Sequence, residues 1–600
     1  MLENNMRSTK ALSVVFVCLA SVAAADSPFV VGTATGEVFY RPVDTDPIFS
    51  GEQIEISGAE NTIGSYVLSG GEVNTLTFGS SGPGIENSPD VGVARRPGSI
   101  GTFTVTGEGT EFNMLGADEG MVIQIGRRGG VGTFNVLDGA FLSLNSPTNV
   151  APINAVSIQL GQEGGTGTLN VDDGTVNIQS TRDAFLFLGG NIIGSELPGG
   201  DATANFLNGS SLNIIANAPI IPLVDDISEA SIVLGQTAGA SAEMIVDASD
   251  ILVRGEAGYA GLSVGREEDS SGTFELRNGA SVLLEANTLG VSAPGSYTGA
   301  FFDIGRDDGA NGQATISSSS TLTMTSEVDG AFIGVGRGEG GFGRLTVEDG
   351  GSITYASPSN DGFMEIGQND PNAANGGVGI MTVTGAGSVV DFDGEISVGN
   401  EIGTGSSTGL LTVANGGQLS AGTINLWDGG FLLGNGGTIS GNVFAHAGSF
   451  IAPGASPGVM TIDGNLSMLT GSTLELEFAG PQVGQFDVLS VLGDLTADGP
   501  FNLVFSFLDG YQPGEIEAFD ILNVAGSFQS NFFDLARIDF LGLNNASVDL
   551  SFGPNGTLSA RFSDVAPIPL PASFWMLVVS LGTLRIVQRR RFLSTAQPKA

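Results

Sequence analysis

The chain has little of the chemistry that disulfide-stabilised domains and most enzyme active sites use. Its 600 residues include one cysteine, Cys18, one histidine, His446, and two tryptophans, Trp427 and Trp575. One cysteine excludes a disulfide framework, and a single histidine leaves almost no room for Ser–His, Cys–His or histidine-rich metal sites. We therefore predict no catalytic, cofactor or metal site, and expect stability to come from burial and backbone hydrogen bonds.

Positive charge is also scarce. Lysine and arginine number 21 against 64 aspartate and glutamate residues, which gives a formal net charge of −43. Such a surface repels nucleic acid and attracts cations, so no nucleic-acid partner is expected. The Gly-Gly-x-Gly-x-Asp repeat of calcium-binding β-rolls does not occur, and any Ca²⁺ binding is expected to be loose.

Glycine, in contrast, is abundant. There are 93 glycines and 41% hydrophobic residues, without the strict every-third-residue spacing of collagen. Glycine supplies the positive φ angles of tight turns, so this composition indicates many short strands and an all-β chain.

The N-terminus has the layout of a secretory signal peptide. Arg7 and Lys10 precede an apolar run, residues 11–20, and a small-residue stretch that ends at Ala25. This order predicts a signal peptide over residues 1–25, cleaved after Ala25, so that the mature chain begins at Asp26.

The C-terminus carries a proline motif, an apolar segment and a basic cluster. The motif is Ile568-Pro569-Leu570-Pro571-Ala572, and the cluster is Arg589-Arg590-Arg591. Between them we predict a short hydrophobic helix over residues 572–587, which is a weak membrane anchor because its apolar part is shorter than a bilayer core. The arginines orient it, with the chain outside and the tail in the cytoplasm.

These C-terminal residues resemble the PEP-CTERM sorting signals of Gram-negative bacteria, in the variant whose motif reads Val-Pro-Leu-Pro-Ala. Ile568 replaces the usual valine, and Arg585 interrupts the apolar segment early. The resemblance implies transient anchoring in the inner membrane, recognition by an exosortase-type membrane protease, and release to the cell surface or an exopolysaccharide matrix. A permanent C-terminal membrane anchor is the alternative.

Between the ends, a short phrase recurs with a period of about 31 residues. It reads apolar-x-apolar-Gly-(Arg/Gln), as in Ile123-Gln124-Ile125-Gly126-Arg127. Its glycine positions are residues 94 (an alanine), 126, 161, 189, 235, 265, 305, 336, 367 and 399. A fixed period of this length is typical of stacked repeats.

Each phrase is followed by two more strands with alternating apolar and polar residues. In one repeat these are residues 132–136 and 141–144, separated by the turn dipeptide Asp138-Gly139. Three short strands suit one coil of a three-sided, right-handed parallel β-helix, or solenoid. Asp-Gly is also a hairpin signal, so a propeller-like array of hairpins is the alternative.

The repeats resemble those of PEP-CTERM proteins and autotransporter passengers, but no membrane barrel follows them. We predict an N-terminal β cap over residues 26–90, solenoid repeats over 91–465, a C-terminal β cap over 466–562 and the sorting tail over 563–600. The caps are expected because an open end coil would template aggregation.

The predicted function is that of an exported structural or adhesive protein of the cell surface or extracellular matrix, associated with exopolysaccharide or biofilm. Two alternatives stay open: a secreted polysaccharide lyase or hydrolase, and a loosely Ca²⁺-responsive matrix protein. The acidic groups that an enzyme would use are Asp172-Asp173, Glu267-Glu268-Asp269 and Asp307-Asp308, all beside repeat turns. The arginine or glutamine after each repeat glycine is interpreted as a corner cap that bonds turn carbonyls or a neighbouring acid, and no binding site is nominated.

Overall fold

The computed structural model describes residues 32–41, 53–77, 90–116, 121–147, 155–190, 198–217, 228–256, 258–287, 299–327, 330–356, 362–368, 376–401, 407–454, 457–514, 517–544, 546–553, 556–563 and 566–567. Within these ranges nearly every element is a β-strand, apart from the four-residue helix Phe532–Leu535 and the 3-10 turn Leu508–Gly510. The all-β prediction is confirmed.

The strands form three faces that follow one another in every coil. The first face contains the strands of the repeat phrase and their ladder partners in the end coils: Gln53–Ile56, Asp90–Val93, Met121–Arg127, Val156–Gln162, Ala184–Leu188, Ser228–Leu234, Gly258–Val264, Ala300–Ile304, Phe332–Val335, Gly362–Ile366, Leu466–Leu469 and Leu495–Asp498. The second face contains Ile63–Ser69, Ile100–Thr106, Val131–Leu137, Thr166–Asp172, Asp201–Leu207, Ser241–Asp247, Ser271–Arg277, Asn311–Ile316, Phe342–Val347, Val378–Thr384, Thr408–Ala414, Gly430–Asn435, Phe450–Ala452, Thr473–Phe478, Phe501–Phe507 and Ala536–Leu541. The third face contains Val73–Leu76, Glu111–Leu115, Phe141–Ser146, Thr175–Ser180, Ser211–Ala216, Asp250–Gly255, Ser281–Ala286, Thr321–Ser326, Ser352–Ala356, Val459–Asp463, Val488–Val491 and Phe519–Val524. Three longer strands, Val389–Val398, Gln418–Leu426 and Gly437–Ala445, run round the corner from the third face to the first.

Pairing joins each strand to its equivalents in the coils above and below. Val131 lies beside Ile100 on one side and Thr166 on the other, both in parallel ladders. Consecutive strands of one coil lie on different faces and do not form hairpins, so the propeller alternative is wrong and the predicted parallel solenoid is confirmed. The right-handed sense of its winding stays a prediction.

The parallel coils extend past both predicted limits. Ile54 already pairs in parallel with Val91, and Phe501 pairs in parallel with Ala536, so residues 53–76 and 466–541 belong to the coil stack rather than to separate caps. The second-face sheet has 17 strands, all parallel except Thr33–Gly36. At about 4.8 Å per strand step, the stack is about 70 Å long.

Antiparallel strands cover parts of both ends. At the N-terminal end, Thr33–Gly36 pairs with Ile63–Ser69 and Val38–Arg41 pairs with Gln53–Ile56. At the other end, Ser547–Phe552 pairs with Thr557–Ser563, which in turn lies antiparallel on Phe519–Val524. Reversed strands occupy backbone groups that would otherwise pair with another chain. The caps are therefore much shorter than the predicted 26–90 and 466–562.

The core is a continuous column inside the coils. Alternating residues of every face point inward, and together they form one apolar cluster that runs from Ile54 to Phe562. Equivalent side chains of neighbouring coils stack; the rings of Phe103 and Phe134 have centroids 4.6 Å apart. A single coil cannot enclose its own apolar residues, so burial depends on this stacking.

The corner after the first face requires a left-handed backbone. Gly126, Gly161, Gly305 and Gly336 have φ of 68°, 63°, 65° and 67°, and Ala94, which replaces glycine in the first repeat, has φ of 56°. A Cβ on Gly126 would collide with the carbonyl oxygen of Thr166 in the next coil. Both the torsion and the close approach of the coils select glycine here.

This corner generates a paired prediction. Gly126→Ala and Gly164→Ala both place a side chain at positive φ, 68° and 74°, but nothing lies within 4 Å of a Cβ on Gly164. We expect Gly164→Ala to lower the free energy of unfolding by about 1–2 kcal/mol, from strain alone. Gly126→Ala should cost clearly more, because the Thr166 backbone must move. Urea unfolding followed by circular dichroism measures both; equal losses would contradict the steric account.

A buried carboxyl group lies in one of the last coils. Asp487 is 0% exposed, and its two oxygens accept hydrogen bonds from the backbone N–H groups of Gly458, at 2.6 Å, and Glu477, at 2.8 Å. Burial raises the pKa of Asp487 from 3.8 to about 7, although these two donors oppose the shift. The folded chain therefore binds this proton more tightly than the unfolded chain.

The raised pKa predicts a pH dependence of stability. Between about pH 4 and pH 7 the folded state holds a proton that the unfolded state has released, so the contribution of Asp487 falls as pH rises through this window and is constant above it. We expect the melting temperature of the wild type, minus that of Asp487→Asn, to decrease from pH 4.5 to pH 8. The asparagine variant shares every other titration, so a difference that does not change with pH would refute the assignment.

Candidate functional site

The residue after the repeat glycine bonds to acids of its own and neighbouring coils. Arg127 donates to Glu163 of the next coil at 2.7 Å. Arg337 lies 3.4 Å from oxygens of both Asp303 and Glu365, one in each neighbouring coil. The interpretation of these arginines as corner caps bonded to neighbouring acids is confirmed at these positions.

Aromatic side chains line the outside of the first face in successive coils. Parallel register places Phe301 beside Phe332 and Phe332 beside Phe363, and the last two rings have centroids 6.4 Å apart. Tyr259, one coil earlier, meets the Phe301 ring edge-on at 6.3 Å. These outward residues form an apolar strip along the first face.

The strip forms one wall of an open cleft of about 260 Å³. Its lining residues are Glu229, Tyr259, Arg266, Gly299, Ala300, Phe301, Asp303, Arg306, Gly330, Phe332 and Arg337. This volume lies just under the range of enclosed small-molecule pockets, roughly 300–1,000 Å³. The cleft therefore suits one unit of an extended ligand better than a fully enclosed small molecule.

Two outward glycines make room for this arrangement. A Cβ on Gly261 would overlap the ring of Phe301, and a Cβ on Gly334 would lie 2.5 Å from Asp303 Oδ1 and 2.9 Å from the Phe332 ring. Neither glycine has a positive φ, so space rather than torsion selects glycine here.

Arginines outnumber carboxylates in the cleft. Arg337 places its guanidinium 4.5 Å from the Phe332 ring centroid and pairs with the buried Asp303. Arg306 lies 3.4 Å from an oxygen of Asp307, and Arg266 lies 3.8 Å from an oxygen of Glu267. Arg266 and Arg306 therefore each lie beside the acid that follows them in the sequence.

Burial raises the pKa of both Glu267 and Asp307. Coulombic repulsion from Asp307 raises the pKa of Glu267 further, whereas Arg266 and Arg306 lower both values. Each of these two carboxyl groups therefore binds its proton more tightly than an isolated carboxyl group of the same type.

Sequence reasoning missed the aromatic strip because it considered only the tryptophans. A signal was present: Phe301, Phe332 and Phe363 each stand four residues before a repeat glycine, at an outward position of the strand. Phenylalanine at the same outward position of three successive repeats indicates a covered or ligand-facing surface.

The acidic groups considered for catalysis lie at corners of the coil. Asp173 and Asp269 adopt positive φ angles of 51° and 54°, as turn residues do. Within the described ranges there is no cluster of three or more histidine, cysteine, aspartate or glutamate residues arranged to hold a metal ion.

His446 is partly buried. Its ring stacks on Trp427 with centroids 3.7 Å apart, and Nε2 lies 3.2 Å from Asn425 Oδ1. Burial lowers the pKa of His446, so the ring is neutral over a wider pH range than usual. Trp427 and His446 lie at the corner that follows the first face, two and three coils beyond the coil of Phe363.

The predicted targeting residues lie outside the described residues. These are the cleavage site at Ala25, the motif Ile568, Pro569, Leu570, Pro571 and Ala572, the helix over 572–587, and the cluster Arg589, Arg590 and Arg591. In the part of the chain that the structure describes, no helix has the length and apolar character needed to cross a membrane.

Comparisons with known proteins add little. No family model and no curated protein matches the chain. Among solved structures, the TibC-catalyzed hyper-glycosylated TibA55-350 fragment is similar, at 14% identity over 68% of this chain and 97% of that fragment, with a TM-score of 0.23. The fold assignment therefore stands on the strand pairing described above.

Proposed function

We propose that this protein is an exported structural or adhesive component of the cell surface or extracellular matrix, associated with exopolysaccharide or biofilm. The observation that supports this most is the uninterrupted stack of parallel coils from residue 53 to residue 541. Such a stack is a stiff rod that holds its surface residues at fixed spacing, well away from any membrane anchor.

The two ends of the chain support export and sorting. The N-terminal layout that ends at Ala25 fits a signal peptide, and the order of proline motif, apolar segment and arginine cluster fits an exosortase-type substrate. In this proposal the chain is held briefly in the inner membrane and then released by cleavage near Pro571 or Ala572.

We also propose that the protein is not an enzyme. The acidic groups of the repeats lie at turns that select aspartate for its backbone conformation, and the histidine stacks on a tryptophan. The carboxylate-based lyase or hydrolase therefore stays a weaker candidate, as does the Ca²⁺-responsive matrix protein.

Intact mass tests the sorting proposal. Protein from the native host's extracellular fraction should begin at Asp26 and end near Pro571 or Ala572. Full-length C-termini in the membrane fraction alone would replace this proposal with a permanently anchored envelope protein.

Gene deletion tests the surface role. We expect the deletion strain to lose cell aggregation and attachment, and the full gene to restore both. A variant lacking residues 100–130 should also restore them, because Ile100 and Val131 occupy the same register and the shortened stack keeps its ladders. Unchanged attachment in the deletion strain would remove the proposed role.

A further inference from the structure

The cleft on the first face concentrates positive charge on a strongly acidic chain. Three of the 21 basic residues, Arg266, Arg306 and Arg337, line it together with only two carboxylates, Glu229 and Asp303. A net charge of −43 would favour acids on any surface whose only role is solubility. Arginine is therefore concentrated in the lining of the cleft, next to the acids Glu267, Asp307 and Glu365, and this concentration is what a binding role would explain.

Two of these arginines have donors to spare. The Nε of Arg266 is buried without a hydrogen bond, and its Nη1 reaches Gln236 at a long 3.4 Å. Arg306 has one ion pair among the described residues, with its sequence neighbour Asp307 at 3.4 Å. A guanidinium carries five N–H donors, and a buried donor without a partner costs free energy unless a ligand or water satisfies it.

Arg337 is held differently. Its contacts with Asp303, Glu365 and the Phe332 ring fix it against the wall of the cleft. Arg337 therefore positions the aromatic wall, whereas Arg266 and Arg306 are the groups available to an anion.

The ligand must combine a flat apolar surface with one negative charge per ring. Phe301 and Tyr259 offer apolar rings, and the fork of N–H donors on a guanidinium matches a carboxylate. A ligand with more negative charges on each ring would be repelled more strongly by the surrounding acids, including Glu267 and Asp307.

We propose that the cleft binds a carboxylate-bearing glycan, with one uronate ring against Phe301 and Phe332 and its carboxylate on Arg266 and Arg306. This inference rests on the proposed function, because it names the class of matrix polymer that an exported rod would meet.

The test measures binding of an oligogalacturonate to the purified protein by calorimetry, with the same oligomer fully methyl-esterified as the uncharged comparison. We expect Arg266→Gln and Arg306→Gln each to weaken binding about tenfold or more, and the double variant and the methyl ester to abolish it. High salt should weaken binding, since part of it is electrostatic.

Arg344→Gln is the matched control. Arg344 lies on the second face with its guanidinium 5.8 Å from the Phe342 ring, so it repeats the arginine–phenylalanine pair outside the cleft. We expect Arg344→Gln to leave the affinity for oligogalacturonate unchanged. Three results would overturn the proposed site. The first is an equal loss of affinity in Arg344→Gln and Arg306→Gln, and the second is equal affinity for the oligogalacturonate and its methyl ester. The third is displacement of the oligogalacturonate by inorganic sulfate at equal concentration.

A fold control guards against misfolding. Arg266→Gln, Arg306→Gln and Arg344→Gln should all keep the circular dichroism and the cooperative urea unfolding of the wild-type solenoid. A loss of binding in the first two variants alone then reports on the cleft and not on the fold.

The binding result is separable from the proposed function. Binding without an attachment defect in the deletion strain would retain this site and reject the surface role. An attachment defect in the deletion strain, without glycan binding by the purified protein, would retain the surface role and reject this site. Shortening of the oligomer during the assay would overturn the proposal of pure binding in favour of a carbohydrate-active enzyme.

Discussion

The whole molecule depends on parallel backbone pairing between successive coils. In the described coils, the strand ladders join neighbouring coils rather than strands of one coil, so the N–H and C=O groups of each face are satisfied mainly by the coils on either side. The same stacking closes the core, because the inward residues of one coil bury those of the next. Backbone hydrogen bonding and side-chain burial therefore favour the same register between coils. Removing one whole coil preserves both, because the coils on either side can pair with each other.

This constraint also explains the corners. Coils separated by one strand spacing bring the backbone of one turn against the next, and at Gly126 a Cβ has no room beside the Thr166 carbonyl. The left-handed torsion adds a second reason for glycine. Ala94 shows that the torsion alone is tolerated: its φ is 56°, and its methyl group is completely buried in the first repeat.

The outward surface is less constrained, and there the coils differ from one another. At the position occupied by Phe301, other coils carry serine or glycine, as at Ser231 and Gly261. Register converts residues far apart in sequence into a continuous wall, and arginines from three coils complete it. An acidic chain can in this way present an arginine-lined, partly apolar cleft without losing the solubility that its overall charge gives.

The sequence by itself determined the kind of structure. Alternating apolar residues, a period of about 31 residues and glycine at each corner predict three parallel strands per coil, because the inner face and the turns impose their chemistry locally. The extent of the stack was predicted less well, since the end coils, such as residues 53–76, pair in parallel without the repeat phrase.

Only the tertiary structure decided which outward residues share a site. Tyr259, Phe301 and Phe332 are 42 and 31 residues apart, and the uneven spacing hides their adjacency. The partial pairing of Arg266 and the ring of Phe301 over Gly261 likewise depend on where neighbouring coils place their side chains. The alternation of apolar and polar residues within one strand shows which side chains point inward. Which outward side chains become neighbours depends on the hydrogen-bond register between strands, and that register forms only when the chain has coiled.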